Sequence, residues 1–213
     1  GPDDINSSFM RGSSAAPPLI REALYSASSN LFSESGLNLD QKGIWEDLGD
    51  IEFAGQVAVE NFKKIKTFVK DVLVSDQKLV SLGGDHSVSW PILDAHLDIW
   101  DALDILHIDA HPDLYDSLLG NKLSHASPFA RIMETGRASR LVQVGIRTLN
   151  KHQREQAEKF GVEIYQMEDL TKLSSLSFSK PVYCSIDIDA LDPAYAPGVS
   201  HFEPGGLSTR QLI

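Results

Sequence analysis

Three short segments gather carboxylates and imidazoles: Gly83-Gly84-Asp85-His86-Ser87, Asp109-Ala110-His111-Pro112-Asp113 and Asp187-Ile188-Asp189, the last followed by Asp192-Pro193. Residues two apart on extended backbone point to the same side, so Asp109, His111 and Asp113 are expected to converge, as are Asp187 and Asp189. Bare carboxylates in close contact repel one another. Divalent cations remove that cost. Asp109, Asp113, Asp187 and Asp189 carry one negative charge each, which balances two divalent ions, and the imidazoles of His86 and His111 complete a six-ligand set. Carboxylate and imidazole without thiolate suit Mn2+, Fe2+, Co2+ or Zn2+. A metal pair ~3.5–4 Å apart can lower the pKa of a bridging water and present hydroxide to an electrophilic carbon.

Other residues divide between chemistry and plain structure. Asp85 reads as a turn or supporting residue rather than a ligand. His125, in Leu123-Ser124-His125-Ala126-Ser127, is either a proton shuttle, since imidazole titrates near neutrality, or a surface-loop histidine. His107 lies inside a strand and reads as a buried, hydrogen-bonded histidine. His96, His152 and His201 have no comparable setting. Cys184 reads as a small core residue, and Asp192 as a turn-shaping one. Glu203, in the tight turn Glu203-Pro204-Gly205-Gly206, either faces a cationic substrate or only forms the turn.

The elements that must position these residues alternate. Gly1 to Pro18 is loop-like, and Pro17-Pro18 can start a helix over Leu19–Ser26. Residues 27–43 read as loop and Ile44–Leu48 as a short strand. Gln56–Val74 is the longest expected helix, from the three- and four-residue spacing of Val57, Ala58, Phe62, Ile65, Val69 and Leu73. Strands are expected at 79–82, 103–108, 141–146, 162–165 and 182–188, and helices at 87–96, 128–135 and 151–160. This alternation predicts a single three-layer α/β/α domain with a mostly parallel central sheet. Ligands of such sheets bind beyond the carboxyl ends of the strands, where the three clusters fall. Leu207–Ile213 reads as a helix beginning at the cap Ser208. The expectation is one domain, 1–213, incomplete at both ends.

Composition narrows the partners. With 19 Lys+Arg against 30 Asp+Glu the net charge is −11, which argues against nucleic acid and anionic membranes and suits cations. Hydrophobic residues at 42% suffice for one core. No apolar run reaches the ~18 residues of a transmembrane helix. The one cysteine cannot form an intrachain disulfide. The expected location is cytoplasmic, or mitochondrial if a targeting segment precedes Gly1.

Together the motifs resemble the arginase/agmatinase (ureohydrolase) family. Gly-Gly-Asp-His-Ser (83–87), Asp-Ala-His-Pro-Asp (109–113) and Ser-Ile-Asp-Ile-Asp-Ala-Leu-Asp-Pro (185–193) carry the resemblance. Asn6–Phe9, Ser124–Glu134, Gln143–Arg147 and Ala196–His201 extend it over nearly the whole chain, toward the branch of plant-type arginases and bacterial agmatinase-like enzymes. The resemblance implies an arginase-like fold and two Mn2+ per chain. His86 and Asp113 would serve one metal, His111 and Asp189 the other, and Asp109 and Asp187 both. His125 would transfer protons. The implied reaction cleaves the guanidinium group of agmatine or arginine to urea and an amine, in a homo-oligomer (trimer or hexamer). Tyr115, where animal-type arginases carry asparagine, and Glu203 are the implied substrate residues. They lean the reading toward agmatine, with arginine next. The acidic residue that grips the guanidinium group in the family would lie after Ile213. The alternative is therefore a truncated, catalytically inactive protein that binds metal or joins an oligomer.

Overall fold

The computed structural model describes residues 9–53, 58–75 and 77–213. Proline is tolerated in a first helical turn because its missing N–H has no partner there, and Pro17-Pro18 open α1 (Ala16–Leu24). In α2 (Ala58–Leu73) the side chains of Phe62, Ile65, Val69 and Leu73 are buried, as their spacing requires. The expected start of this helix, Gln56 and Val57, lies outside the described residues. Asp85 caps a 3-10 turn at His86–Val88, which runs into α3 (Ser89–Leu97). Pro91 stands in the first turn of α3, where it removes no helical hydrogen bond.

From there β1 (Leu103–Ile108), α4 (Pro128–Glu134), β2 (Ala138–Ile146), α5 (Lys151–Phe160), β3 (Glu163–Gln166) and β4 (Val182–Ile186) alternate as expected. Asn150 caps α5 by accepting from the Gln153 amide, and Gly161 ends it in the left-handed region. Ser208 caps the short α6 (Thr209–Leu212), with Gln211 completing a reciprocal capping box.

The four strands form a parallel sheet in the order β3-β2-β1-β4. The chain moves outward from β1 to β3 and then returns to the other side of β1. The strand order therefore reverses at the β1–β4 pair, the place where such sheets open a crevice at the carboxyl ends.

One face of the sheet packs Leu103, Ile105 and Leu141 against Leu93 and Leu97 of α3 and Phe129 and Ile132 of α4. Burying a side chain such as Phe129 completely contributes about 1.5–3 kcal/mol. Helix α2 adds an outer layer through Ile65, Val69 and Leu73 against Ile92 and Ala95 of α3. The opposite face has a thinner cover, the 3-10 run Met167–Ser175 and α6. Between them lies an apolar cavity of about 400 Å3 lined by Leu106, Ile108, Val144, Leu173 and Leu207. No helix among the described residues is long and apolar enough to cross a membrane.

Three local expectations are corrected. Ile44–Leu48 forms no strand, and Ile44, Trp45 and Leu48 are exposed. Residues 79–82 form no strand either: no described strand supplies a ladder partner, and Val80 is 86% exposed. Cys184 is not a core residue but exposed, because β4 is the outer strand and one of its faces lacks cover.

Candidate metal centre

The crevice collects all three acidic segments. Asp109 follows β1 directly, and its amide continues the ladder to Val144 O at 3.0 Å. The Asp187 amide does the same beyond β4, donating to Ile108 O at 2.9 Å. Both chains then leave the extended conformation, so alternation along a strand is not what makes the carboxylates converge. After β1 the backbone bends: Asp109 Oδ1 accepts from the His111 amide at 2.6 Å, and Asp113 takes φ 50°. Aspartate is among the few side chains that enter this left-handed region readily. After β4 the Asp187 carboxylate accepts from the Asp189 amide at 2.9 Å and caps a 3-10 turn at Ile188–Ala190. Two-residue spacing thus brings the right residues together through capped turns. Gly145 makes room at the floor: its φ is 90°, and an added Cβ would lie 3.2 Å from Asp109 O.

Two imidazoles meet this acidic set at different points. His86 Nδ1 lies 2.9 Å from Asp113 Oδ2, 3.1 Å from Asp109 Oδ2 and 3.4 Å from Asp187 Oδ2. It is buried, and none of these contacts has hydrogen-bond geometry. Its other nitrogen, Nε2, is held by Ser185 Oγ at 3.0 Å. His111 Nδ1 lies 3.0 Å from Asp189 Oδ2 and 3.5 Å from Asp109 Oδ1. The two oxygens of Asp109 therefore face two different histidines. A buried nitrogen ringed by carboxylate oxygens fits a divalent cation, and so does the hard donor set.

His107 also lies within metal-ligand distance of His86 and Asp109. Both of its nitrogens are engaged. Gln143 Nε2 donates to Nδ1 at 3.0 Å, so Nε2 carries the proton and donates to Asp109 Oδ2 at 2.7 Å. Burial pushes its pKa down to about 4, against the pull of Asp109, and keeps it neutral. Phe129 stacks on its ring, with centroids 3.9 Å apart. His107 is buried and hydrogen-bonded, as the in-strand reading expected, and its bond orients Asp109.

Crowding perturbs every acid in the cluster. Burial pushes Asp113 up to about 6, opposed by His86 and reinforced by the charge of Asp109. Burial, with Asp109 adding, pushes Asp189 up to about 8 and raises Asp187. Burial would also raise Asp109, but His107, His111 and His86 hold it well below its ordinary value. Against a burial that disfavours its charge, His111 is raised to about 11 by Asp109 and Asp189. A metal-free cluster thus holds protons that a cation must displace.

Around this centre stand the weaker candidates. Glu203 faces it, with Oε1 3.5 Å from His111 Nε2. His125 stacks on His201 at 5.8 Å between centroids, and His201 meets His111 edge-on at 5.7 Å. His201 had shown no setting of interest in the sequence; the available signal was its position two residues before Glu203. The Tyr115 hydroxyl accepts from Asn150 Nδ2 at 2.5 Å, and its ring stacks on His152, so α5 fixes its orientation. Asp85 accepts from the Ser87 amide, and Asp192 from the amides of Ala194 and Gly205, both as turn residues. His96 bonds to Ile92 O, stacks on Trp100 and meets Tyr183 edge-on, away from the cluster.

Known proteins share this sequence and fold. The chain is 48% identical to the mitochondrial arginase 1 of Oryza sativa subsp. indica over 222 residues, 98% of this chain and 65% of the rice protein. It thus spans just under two thirds of that relative's length. Identity to the agmatinase of Bacillus cereus is 34%, over all of this chain and 73% of the relative. The solved structure of the Medicago truncatula arginase superposes with a TM-score of 0.90 at 45% identity, covering 99% of this chain and 71% of that one. The Arginase family profile matches residues 2–213, and the chain belongs to the arginase family.

Proposed function

We propose that this protein hydrolyses a guanidino group with two Mn2+ ions, releasing urea and an amine. The observation that carries the reading is Asp109: one oxygen faces His86 and the other His111, so one carboxylate serves two cation sites. His86 and Asp113 would hold one ion, His111 and Asp189 the other, with Asp109 and Asp187 shared. Bound there, the ions would supply Lewis-acid chemistry, lowering the pKa of water and polarising the carbon under attack. The protein's own groups supply the rest. His107 and Gln143 keep Asp109 in one orientation. His125, stacked on His201 beside the ligands' His111, would carry the proton to the leaving amine. Glu203, which faces His111, and Tyr115, which follows the second acidic segment, are the residues to meet a cationic substrate.

The 48% identity to a plant arginase favours arginine as substrate over agmatine, which the residues alone had put first. The rice relative's name makes the mitochondrion a compartment to test beside the cytoplasm. A homo-oligomer and a single domain over residues 1–213 remain part of this proposal. Urea release from arginine and from agmatine, measured after chelation and after Mn2+ reloading, tests it. Manganese-dependent urea supports the reading. Retained manganese with no urea from either compound favours the inactive metal-binding alternative.

The same cluster predicts a pH dependence. Coordination requires unprotonated ligands, and Asp113, Asp189 and His111 hold protons up to about 6, about 8 and about 11. Mn2+ affinity should therefore rise with pH across this interval, by ~10-fold per unit for each proton released. Calorimetric titrations in buffers of different ionisation enthalpy read the protons directly. Equal affinity at pH 6 and pH 8 would contradict the assignment.

A further inference from the structure

One half-buried cation lies beside the acidic centre without an ion-pair partner among those described. Arg147 follows β2 directly, and its amide donates to Ala110 O at 3.0 Å. Its guanidinium makes six hydrogen-bond contacts, all to backbone carbonyls. Nη2 reaches Asp189 O at 2.7 Å, Glu203 O at 2.7 Å and Leu191 O at 3.3 Å. Nη1 reaches Gly145 O and Ala190 O, each at 3.2 Å, and Nε reaches Glu203 O at 2.9 Å.

We propose that Arg147 is a positioning residue that sets Asp189 and Glu203 relative to one another, and so couples one cation site to the substrate turn. The inference rests on the metal reading above. It needs a planar fork, because the carbonyls come from three separate segments: the end of β2, the turn after β4, and the 203–206 turn. Guanidinium presents five N–H donors in one plane, whereas a lysine ammonium presents its donors from a single point. The turn also packs directly on the fork. A Cβ added to Gly206 would lie 2.6 Å from Arg147 Nη2, 2.6 Å from Asp192 N and 2.7 Å from Ala190 O. Ala110, which anchors the Arg147 amide, itself donates to Asp189 Oδ1 at 3.2 Å. Arg147 thus reaches Asp189 from the backbone side while the carboxylate stays free to face His111.

The test is a two-step Mn2+ titration of the unaltered chain, Arg147→Lys and Gly206→Ala, with unfolding temperatures measured alongside. His111→Ala identifies which step belongs to the Asp189 side. Arg147→Lys should weaken that step by about 10–100-fold, the range for groups that orient metal ligands, and leave the other step unchanged. Gly206→Ala should reproduce this pattern from the opposite side of the contact. In active preparations both variants should raise KM more than they lower kcat. Three outcomes would overturn the proposal: wild-type affinity at both steps in Arg147→Lys, which would make a bare positive charge sufficient; equal weakening of both steps in proportion to a lower unfolding temperature; or failure of both variants to fold. If the unaltered chain takes up no Mn2+, the metal reading itself fails and this inference with it.

Discussion

Asp109→Asn is expected to abolish urea release and reduce Mn2+ retention from two ions to at most one. Asparagine keeps the size of the side chain and one carbonyl oxygen, but it loses the charge and one acceptor. The lost acceptor matters because each oxygen of Asp109 faces a different imidazole. His107 adds a second penalty. Its Nε2–H needs an acceptor at one oxygen position and the His111 amide needs one at the other, so whichever way the asparagine is turned its NH2 faces a donor in a buried site. Lewis-acid stabilisation is worth several kcal/mol, so kcat/KM should fall by roughly 10³-fold or more. Metal analysis and urea assay on one sample check both parts. Retention of two ions with full affinity would remove Asp109 from its shared role.

His125→Ala should leave metal content unchanged and slow turnover by about 10²–10⁴-fold, the usual contribution of a positioned proton-transfer group. The geometry separates the two effects. His125 belongs to neither ligand group, and its ring stacks on His201, which meets His111 edge-on. Ser124 Oγ lies 3.3 Å from its Nδ1 and helps to hold the ring. The loss should appear in kcat rather than KM, because the residue acts on the leaving group rather than on binding. A variant with normal kcat would make His125 a rim residue, and His201 would be the next to test.

Much of the site was legible in the residues, for a reason specific to strand ends. Asp109 and Asp187 each follow the last residue of neighbouring parallel strands, so the sheet alone brings them together. His107 was recognisable as buried because it lies inside the run that forms β1 rather than beyond its end. The local geometry was harder to foresee. Extended backbone was expected to align Asp109, His111 and Asp113, whereas the structure uses a bend and a left-handed aspartate. Arg147 and His201 lie in segments that carry the resemblance, but nothing local assigned either of them a role. Asp189 and Glu203 lie 42 and 56 residues from Arg147, and His125 and His111 lie 76 and 90 residues from His201. The failed strand at 79–82 has a matching cause: apolar runs name candidates for a sheet, but a ladder partner makes the strand.

The shared-cation claim is tested most directly by anomalous diffraction at the manganese edge from crystals equilibrated with Mn2+. Two peaks are expected, one against His86 and Asp113 and one against His111 and Asp189, with Asp109 and Asp187 touching both. A single peak, or two peaks that share neither aspartate, would contradict the account.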